Sequence, residues 1–245
     1  DTIKKLFDDY PKDSRHISDY IKYQLKYHCN IRQSDKKIAE IVGQELNNRD
    51  GKMTLLDIGC STGALLKHLR STFPNLHLTG VDLSEQQIDT CRANPELVGV
   101  EFANANILSI EEFGKTFDIV VTNAVLYGFG DDEFEQSLQQ IYHSLNDDGL
   151  HIAFDFMNPY DQEVQIIEKS DSFPGGHPLH FRSRTFLRKA FEAAGFTDVV
   201  IKPFELRLDL EDKGSHSINT RTVKTVDGGY LMFRGVINQP WAHFV

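Results

Sequence analysis

Apolar residues follow two spacings along most of this chain: short continuous runs, and repeats every three to four positions. The short runs are bounded by turn residues, which is typical of buried strands, whereas the longer spacing is typical of amphipathic helices. The pattern predicts strands at 53–58, 77–82, 99–103, 117–123, 150–156 and 196–202, and helices at 63–72, 84–93, 131–145 and 183–194. Because strands and helices alternate, we expect an α/β fold with a mostly parallel sheet and helices on both faces.

Residues 1–50 carry the helical spacing without a strand between the helices. Pro11 ends the first helical segment, and Asp13 or Ser14 is suited to cap the next one. We interpret 1–50 as an N-terminal helical cap that precedes a core domain at 51–210.

Two further segments lie outside the alternation. Residues 157–180 are rich in proline and glycine, and we interpret them as a loop-rich insertion on the substrate side of the core. Residues 211–245 form a C-terminal extension in which two β-runs, 217–225 and 230–238, flank Asp227-Gly228. Asp-Gly between two such runs predicts a β-hairpin.

Composition narrows the class of partner. The 245 residues carry a net charge of −10, and the lysines and arginines are scattered, which disfavours a nucleic-acid partner. No apolar run approaches the roughly 20 residues that cross a membrane. The three cysteines are few and odd in number, as expected in a reducing cytoplasm. We therefore expect a cytoplasmic protein that acts on a small molecule, and a homodimer stays open.

The run Leu-Leu-Asp-Ile-Gly-Cys-Ser-Thr-Gly at 55–63 is the most informative segment. It reads as a strand that ends near Asp57, a tight turn allowed by Gly59 and Gly63, and the start of a helix. A dinucleotide fingerprint requires Gly-x-Gly-x-x-Gly, and this spacing is different. Asp57 would also repel a pyrophosphate, whereas it would attract an ammonium group.

A second acidic residue, Asp82, stands at the end of the second strand, in Gly-Val-Asp-Leu-Ser at 80–84. A carboxylate at this place can accept hydrogen bonds from both hydroxyls of a ribose. Dinucleotide enzymes use the same contact, so Asp82 alone does not separate the two classes. Ser84 is suited to cap the following helix, with Gln87 completing a capping box.

Together these segments resemble the motifs of class I S-adenosylmethionine (SAM) dependent methyltransferases. The first run matches Asp/Glu-x-Gly-x-Gly-x-Gly, with Ser61 in place of the middle glycine. Three more segments follow in order: 101–107 after the third strand, 117–127 at the fourth, and Leu-Asn-Asp-Asp-Gly-Leu at 145–150, a turn before the fifth. Ala-Gly-Phe at 194–196 fits the start of the sixth strand. The resemblance covers about 53–202 and implies a Rossmann-like sheet of seven strands whose last strand is antiparallel.

The resemblance implies SAM as the cofactor and assigns roles to individual residues. Asp57 would lie near the ammonium of the methionine part, and Asp82 would bind the ribose. Asn106 stands where the family often has an aspartate that accepts from the adenine amino group, and Ile107 would pack on the adenine. The implied cofactor-binding set is Asp57, Gly59, Cys60, Gly63, Asp82, Leu83, Asn106, Ile107, Asn123 and Ala124. Tyr127 would face the same loop as a wall or polar contact.

The catalytic candidates are His177 and His180, at the end of the predicted insertion. A hydroxyl acceptor needs a base, an amine must only be unprotonated, and a carboxylate needs no base. Loop histidines are also commonly solvated or structural, and we interpret His143 and His151 as structural.

A metal site is not predicted. Asp155 and Asn158 follow the fifth strand, as in catechol-type methyltransferases, but those enzymes also place an acid at the end of the fourth strand. This chain has Asn123 there.

Further substrate contacts are suggested only by position. Arg15 and Tyr20 could close over the cofactor. In the C-terminal hairpin, Arg221, Arg234 and Trp241 are suited to hold an anionic or sugar-nucleotide acceptor. The hairpin could equally extend the sheet edge or form a dimer interface.

The sequence therefore favours a SAM-dependent methyltransferase that acts on an oxygen or nitrogen of a small molecule, such as a sugar-nucleotide or secondary metabolite. Two alternatives stay open: an NAD(P)-dependent oxidoreductase, and a non-catalytic SAM-binding protein.

Overall fold

The computed structural model describes residues 31–49, 51–158, 163–170, 177–203, 218–225, 230–233 and 242–244. Its α-helices are α1 Gln33–Asn48, α2 Ala64–Thr72, α3 Glu85–Ala93, α4 Asp131–His143 and α5 Arg184–Ala193. Its strands are β1 Thr54–Ile58, β2 His77–Asp82, β3 Glu101–Asn104, β4 Phe117–Asn123, β5 Leu145–Asn158, β6 Val164–Ser170, β7 His177–Ser183, β8 Lys202–Pro203, β9 Ile218–Thr225, β10 Tyr230–Phe233 and β11 Ala242–Phe244. Short 3-10 turns lie at Pro95–Leu97, Ile107–Phe113 and Leu126–Gly128.

The chain divides into two compact units. Within the described residues, the first unit runs to Asn123 and includes Gln139–Ala153, and the second comprises Ala124–Leu138 and the chain from Phe154 onward. Helix α4 and strand β5 each contribute residues to both units.

The first unit contains the parallel sheet that the alternation predicted. Its strand order is β5-β4-β1-β2-β3, with β1 parallel to both β2 and β4. In register, Asp57 lies beside Gly80 on one side and Val121 on the other. Strands β1, β2 and β4 are buried along most of their length, which explains their continuous apolar sequence. The carboxyl ends of β1, β2 and β4 therefore meet at one edge of the sheet.

The second unit contains the largest difference from prediction. The segment 157–180 is not mainly loop, because β6 and β7 lie within and beyond it and pair as antiparallel strands. Ile166 and Leu179 are register partners and both are buried, so the apolar positions form one covered face. The proline and glycine residues at 174–176 lie between the two strands in the sequence, where turn residues belong.

The predicted strand at 196–202 is wrong for most of its length. Only Lys202–Pro203 is strand. Asp198 has a φ of 54°, a left-handed conformation that interrupts extended backbone. The Val200 side chain is 56% exposed, so it is not packed as a sheet residue would be.

The described residues form eleven strands, more than the seven that the resemblance implied. The additional strands are antiparallel: β6 pairs with β9, β9 pairs with β10, and β11 pairs with the last part of β5 and with β8. The hairpin of β9 and β10 confirms the prediction from the Asp-Gly signal, and residues 234–238 lie outside the described part.

The ends of two helices differ in how well they were predicted. The N–H of Gly195 donates to the carbonyl of Glu192 at 3.1 Å, so this glycine ends α5 as predicted. Gly149 does not end a helix, because α4 stops at His143 and β5 already begins at Leu145. The segment 145–150, predicted as a turn, is part of β5, although Asp148 has a left-handed φ of 57°. In the parts of the chain that the structure describes, no helix is long and apolar enough to cross a membrane.

Candidate functional site

The turn between β1 and α2 is tied to the second strand. The N–H groups of Gly59 and Cys60 both donate to the carbonyl of Val81, at 2.8 and 3.0 Å. Gly59, Ser61 and Gly63 have left-handed φ values of 74°, 51° and 74°. The serine that replaces the family's middle glycine thus adopts a conformation that favours glycine.

Gly63 is also fixed by packing. A Cβ at this position would lie 2.6 Å from Cδ1 of Leu97 and 3.2 Å from Sγ of Cys91. Helix α2 starts at the next residue and can approach the neighbouring elements only because the side chain is absent.

Asp82 holds this turn through its carboxylate. Oδ2 accepts from the N–H of Ser61 at 2.9 Å, and Oδ1 accepts from the N–H of Ser84 at 2.9 Å. Burial raises the pKa of Asp82, and the N–H groups of Ser84, Ser61 and Leu83 oppose that rise. Each carboxylate oxygen has a second acceptor position, so these contacts leave room for hydroxyl donors.

The predicted cap of α3 is confirmed, and the predicted capping box is wrong. Oγ of Ser84 accepts from the N–H of Gln87 at 3.4 Å. The reciprocal bond does not form because the N–H of Ser84 donates to Asp82 instead.

Asp57 is buried, with 2% of its surface exposed. Burial raises the pKa of its carboxyl to about 8. The guanidinium of Arg32 opposes this rise, and the carboxylates of Asp35 and Asp82 add to it. A positive group that reached Asp57 would therefore stabilise its charged form.

A buried polar chain joins the start of α1 to the end of β4. Nε of Arg32 donates to both carboxylate oxygens of Asp35 at 3.1 Å, and Nδ2 of Asn123 donates to Oδ1 of Asp35 at 2.8 Å. Oδ1 of Asn123 is buried and has no hydrogen-bond partner among the described residues. Sequence reasoning missed Arg32 and Asp35. Their i,i+3 spacing, with an acid in the first turn of a helix, was the available signal.

The residues predicted for the adenine lie around the end of β3. Oδ1 of Asn106 accepts from the N–H of Leu108 at 3.0 Å and caps the 3-10 turn, while Ile107 is buried. Leu83 is 40% exposed, which is unusual for a leucine beside a buried strand. Asn104, which was not predicted, donates from Nδ2 to the carbonyls of Asp82 and Leu83 at 2.9 and 2.8 Å. It fixes the backbone beside Asp82.

The first unit therefore brings Gly59, Cys60, Gly63, Asp82 and Leu83 together around one turn. Asp57 is the penultimate residue of β1, the strand that leads into this turn. Ala124 belongs to the second unit. It has a left-handed φ of 61°, and its N–H donates to the carbonyl of Phe154 at 2.7 Å.

His177 and His180 lie on β7 in the second unit, and the side chain of His177 is outside the described part. Nε2 of His180 is 3.3 Å from Nε2 of Gln165. Burial lowers the pKa of His180 to about 4, Arg182 lowers it further, and Asp131 opposes both. His180 is therefore neutral near pH 7 and a weak base.

Arg182 makes several contacts with the described residues of the second unit, and sequence reasoning missed it. It is 3% exposed, and its guanidinium lies 4.1 Å from the centre of the Phe134 ring. Nη2 donates to the carbonyl of Phe129 at 2.6 Å and to Oδ1 of Asp131 at 2.9 Å, and Nη1 donates to the carbonyl of Leu126 at 3.4 Å. Arg182 thus holds the turn Leu126–Gly128.

The two histidines predicted to be structural differ in burial. His151 is buried, and its Nε2 is 3.0 Å from Oγ1 of Thr122, whereas His143 is exposed, with Nδ1 3.4 Å from a carboxylate oxygen of Glu111. No group of three histidine, cysteine or acidic side chains that could hold a metal ion is found among the described residues. Arg15, Tyr20, Arg234, Trp241 and the side chain of Arg221 lie outside the description.

This chain is similar to known methyltransferases. The family model described as "Methyltransferase domain" matches residues 30–201. Two malonyl-[acyl-carrier protein] O-methyltransferases match: that of Bacillus anthracis is 28% identical over 134 residues, 53% of this chain and 48% of its own length. That of Acetivibrio thermocellus is 27% identical over 150 residues, which are 58% of this chain and 52% of its own length. The chain spans about half the length of these curated relatives.

Solved structures share the fold. The glycopeptide N-methyltransferase MtfA complexed with sinefungin superposes with a TM-score of 0.56 at 14% identity, covering 70% of this chain and 78% of MtfA. LepI in complex with SAM superposes with a TM-score of 0.52 at 16% identity, covering 69% of this chain and 44% of LepI. At such identities the likeness concerns the fold alone. Because the family model covers most of the chain, and the five motifs lie inside the match, the chain belongs to the class I SAM-dependent methyltransferase family.

Proposed function

We propose that this chain is a SAM-dependent methyltransferase that transfers a methyl group to an oxygen or nitrogen of a small-molecule acceptor. The observation that carries the proposal is the turn Gly59–Gly63 held by the Asp82 carboxylate, with Asp57 buried near the end of the strand that leads into the turn. The O- and N-methyltransferases among the similar proteins support the same reaction, and the family match favours it over the NAD(P)-dependent alternative.

Two features of the first unit fit SAM. The methionine part of SAM carries an ammonium group. Burial raises the pKa of Asp57, and a nearby ammonium would favour its ionised form. Oδ1 of Asn123 is a buried acceptor without a hydrogen-bond partner in the described residues. An incoming donor would satisfy it, and such unsatisfied groups are rare in native proteins.

Different residues bind different parts of SAM. Asp57 attracts the ammonium, Asp82 accepts from the ribose hydroxyls, and Leu83, Asn106 and Ile107 contact the adenine. When bound, SAM supplies a methyl group on a positively charged sulfur. The contribution of the protein is to align the acceptor atom, the methyl carbon and the sulfur and to exclude water.

The first test is calorimetric titration of the protein with SAM, alongside Asp82→Asn and NADH. The amide of Asp82→Asn can accept only one of the two backbone N–H bonds and presents one oxygen fewer to the ribose. We expect saturable SAM binding in the native chain and at least about tenfold weaker binding in the variant, since a charge-assisted hydrogen bond contributes about 1.5–3 kcal/mol.

Asp89→Asn is the matched control, because Asp89 is an exposed acid on α3 whose ion pair in the described part of the chain is with Arg92. It should bind SAM as the native chain does. A folded protein that binds NADH instead, or SAM with equal affinity in all three forms, contradicts the proposal. Methyl transfer from radiolabelled SAM to a panel of small hydroxyl and amine compounds then distinguishes an enzyme from a binding protein.

A further inference from the structure

The buried polar chain of the first unit contains one acceptor that the described residues leave without a donor. The side chain of Asn123 is 7% exposed, and its Oδ1 has no hydrogen-bond partner among the described residues. The other end of the amide is fixed, because Nδ2 donates to Oδ1 of Asp35 at 2.8 Å. Buried polar groups are rarely left unsatisfied, so the orientation of this amide requires an explanation.

Asp35 determines the orientation of the Asn123 amide. A carboxylate accepts hydrogen bonds and does not donate them, whereas an amide has a donor end and an acceptor end. Toward Asp35, Asn123 can therefore present only its NH2 group. The oxygen then points away from Asp35.

Arg32 keeps Asp35 in the charged form that this contact requires. Nη2 of Arg32 lies 2.9 Å from Oδ1 of Asp35, and Nε donates to both carboxylate oxygens at 3.1 Å. Asp35 is 1% exposed, and a carboxylate so deeply buried stays charged only where a positive group or hydrogen bonds compensate it. The ion pair with Arg32 therefore supplies the acceptor to which Asn123 donates.

The register of the sheet places Asn123 on the same face as Asp57. Asp57 is the partner of Val121 in the parallel pair of β1 and β4, and Asn123 follows Val121 by two positions at the end of β4. Side chains two positions apart on a strand point to the same face, and strand geometry places the Cα atoms of Asp57 and Asn123 about 8 Å apart. Both side chains can therefore reach a small group that lies between them.

The charges near Asp57 favour a cation as this group. The carboxylates of Asp35 and Asp82 raise the pKa of Asp57 and the guanidinium of Arg32 lowers it, so all three lie within its electrostatic reach. These described groups are three acids and one base, and the base is already paired with Asp35. An ammonium group would be attracted here and can donate to Oδ1 of Asn123, whereas a carboxylate would be repelled and cannot donate.

We propose that Asp35 is a positioning residue: paired with Arg32, it turns the amide oxygen of Asn123 toward the ammonium of the methionine part of SAM. Asn123 and Asp57 then bind this ammonium together. The inference rests on the proposed methyltransferase function and assigns a role in it to two residues outside the cofactor motifs. The pair contributes to recognition of the amino group and not to recognition of the adenosine.

The test is calorimetric titration of the full chain with three adenosine thioethers. S-adenosylhomocysteine carries the ammonium and the carboxylate of the amino acid, S-adenosyl-3-thiopropylamine keeps only the ammonium, and 5′-methylthioadenosine has neither. In Asp35→Asn either end of the Asn123 amide can face residue 35, so the oxygen is no longer held. We expect the two amines to bind at least about tenfold more weakly, because a hydrogen bond to a charged group is lost. Binding of 5′-methylthioadenosine should stay within about twofold of its native affinity, which also shows that the variant is folded.

Glu40→Gln is the matched control, because Glu40 is an exposed acid of α1 that pairs with Lys37 at the surface. It should leave all three affinities unchanged. In Asp35→Asn, an equal loss for all three compounds would show a general disturbance of the site, and a loss confined to S-adenosylhomocysteine would show a contact to the carboxylate. Either result overturns the proposal, as does unchanged binding of the amines.

A second variant, Asn123→Ala, leaves the ion pair of Arg32 and Asp35 in place and should by itself weaken the two amines in the same way. It also separates positioning from the loss of a charge, because a purely electrostatic effect of Asp35→Asn would persist without the amide. In the Asn123→Ala background, Asp35→Asn should weaken binding of S-adenosyl-3-thiopropylamine by at most about twofold more. A further loss as large as that in the native background overturns the proposal. Failure of the native chain to bind S-adenosylhomocysteine would instead contradict the proposed function itself.

Discussion

Gly63 occupies a position where both the backbone and the packing exclude a side chain. Its φ is 74°, and a Cβ would lie 2.6 Å from Leu97, a buried residue. Gly114 has almost the same conformation, with a φ of 69°, but nothing lies within 4 Å of its Cβ position. A side chain at Gly114 would cause backbone strain alone, whereas a side chain at Gly63 would cause both backbone strain and steric overlap.

We predict that Gly114→Ala lowers the free energy of unfolding by about 1 kcal/mol, the cost of a left-handed alanine. Gly63→Ala should cost at least about 2 kcal/mol more, because overpacking adds to the same strain. Urea denaturation of both variants measures this. Similar losses in the two variants would mean that Leu97 moves aside without cost.

The positions of the candidate residues relative to the strands were predictable where a motif has a fixed place at a strand end. Asp57, Gly59, Gly63 and Asp82 follow from such motifs. The contact between Asp35 and Asn123 could not be assigned from the sequence, because the two residues are 88 positions apart and their contact depends on how α1 packs. Asn104 was missed because its side chain contacts backbone carbonyls, which leave no trace in the sequence.

Among the elements, β7 carries a buried arginine that contacts several polar groups of the second unit. Arg182 satisfies two backbone carbonyls and an acid around the turn Leu126–Gly128. Arg188, on α5, makes one backbone contact, to the carbonyl of Val199 at 2.7 Å, and is about half exposed.

We predict that Arg182→Met lowers the free energy of unfolding by about 3 kcal/mol, because removal of a buried charge partner leaves polar groups unsatisfied. Arg188→Met should change it by less than about 1 kcal/mol. Chemical denaturation followed by circular dichroism compares the two. Equal losses would show that the Arg182 contacts contribute no more than a surface contact.

The parallel elements were easier to predict than the antiparallel ones. Continuous apolar runs such as 117–123 identify buried strands, because both of their faces are covered. In 157–180 the short apolar alternation of β6 was outweighed by nearby prolines and glycines. The run at 196–202 is apolar enough for a strand, but the left-handed Asp198 stops the extended backbone.

At the scale of the whole molecule, the buried Asp57 makes stability depend on pH. Its pKa is about 8 in the folded chain and 3.8 as the ordinary value. The folded state therefore holds the proton more tightly than the unfolded state between these values. The resulting penalty is absent below about pH 4, grows as pH rises, and is complete above about pH 8.

We predict that Asp57→Asn removes this penalty, so that the ligand-free variant is more stable than the native chain by a few kcal/mol at pH 8.5 and by less at pH 5. Denaturation midpoints at both pH values test this, with Asp89→Asn as the control for a surface acid. If the stability difference between native and Asp57→Asn chains is the same at both pH values, the carboxyl does not titrate as described. The same variant should bind SAM more weakly, so stability and binding move in opposite directions.

The order of strands in the first unit also bears on how the chain is made. β1 pairs with β4, whose residues are more than 60 positions later, and the unit is complete only with Gln139–Ala153. The ribosome must therefore synthesise all of 124–138, which belongs to the second unit, before the first unit can fold completely. Contacts so distant in sequence form slowly. Until they form, the apolar strand β1 lacks its β4 neighbour in the nascent chain, where chaperones can bind it.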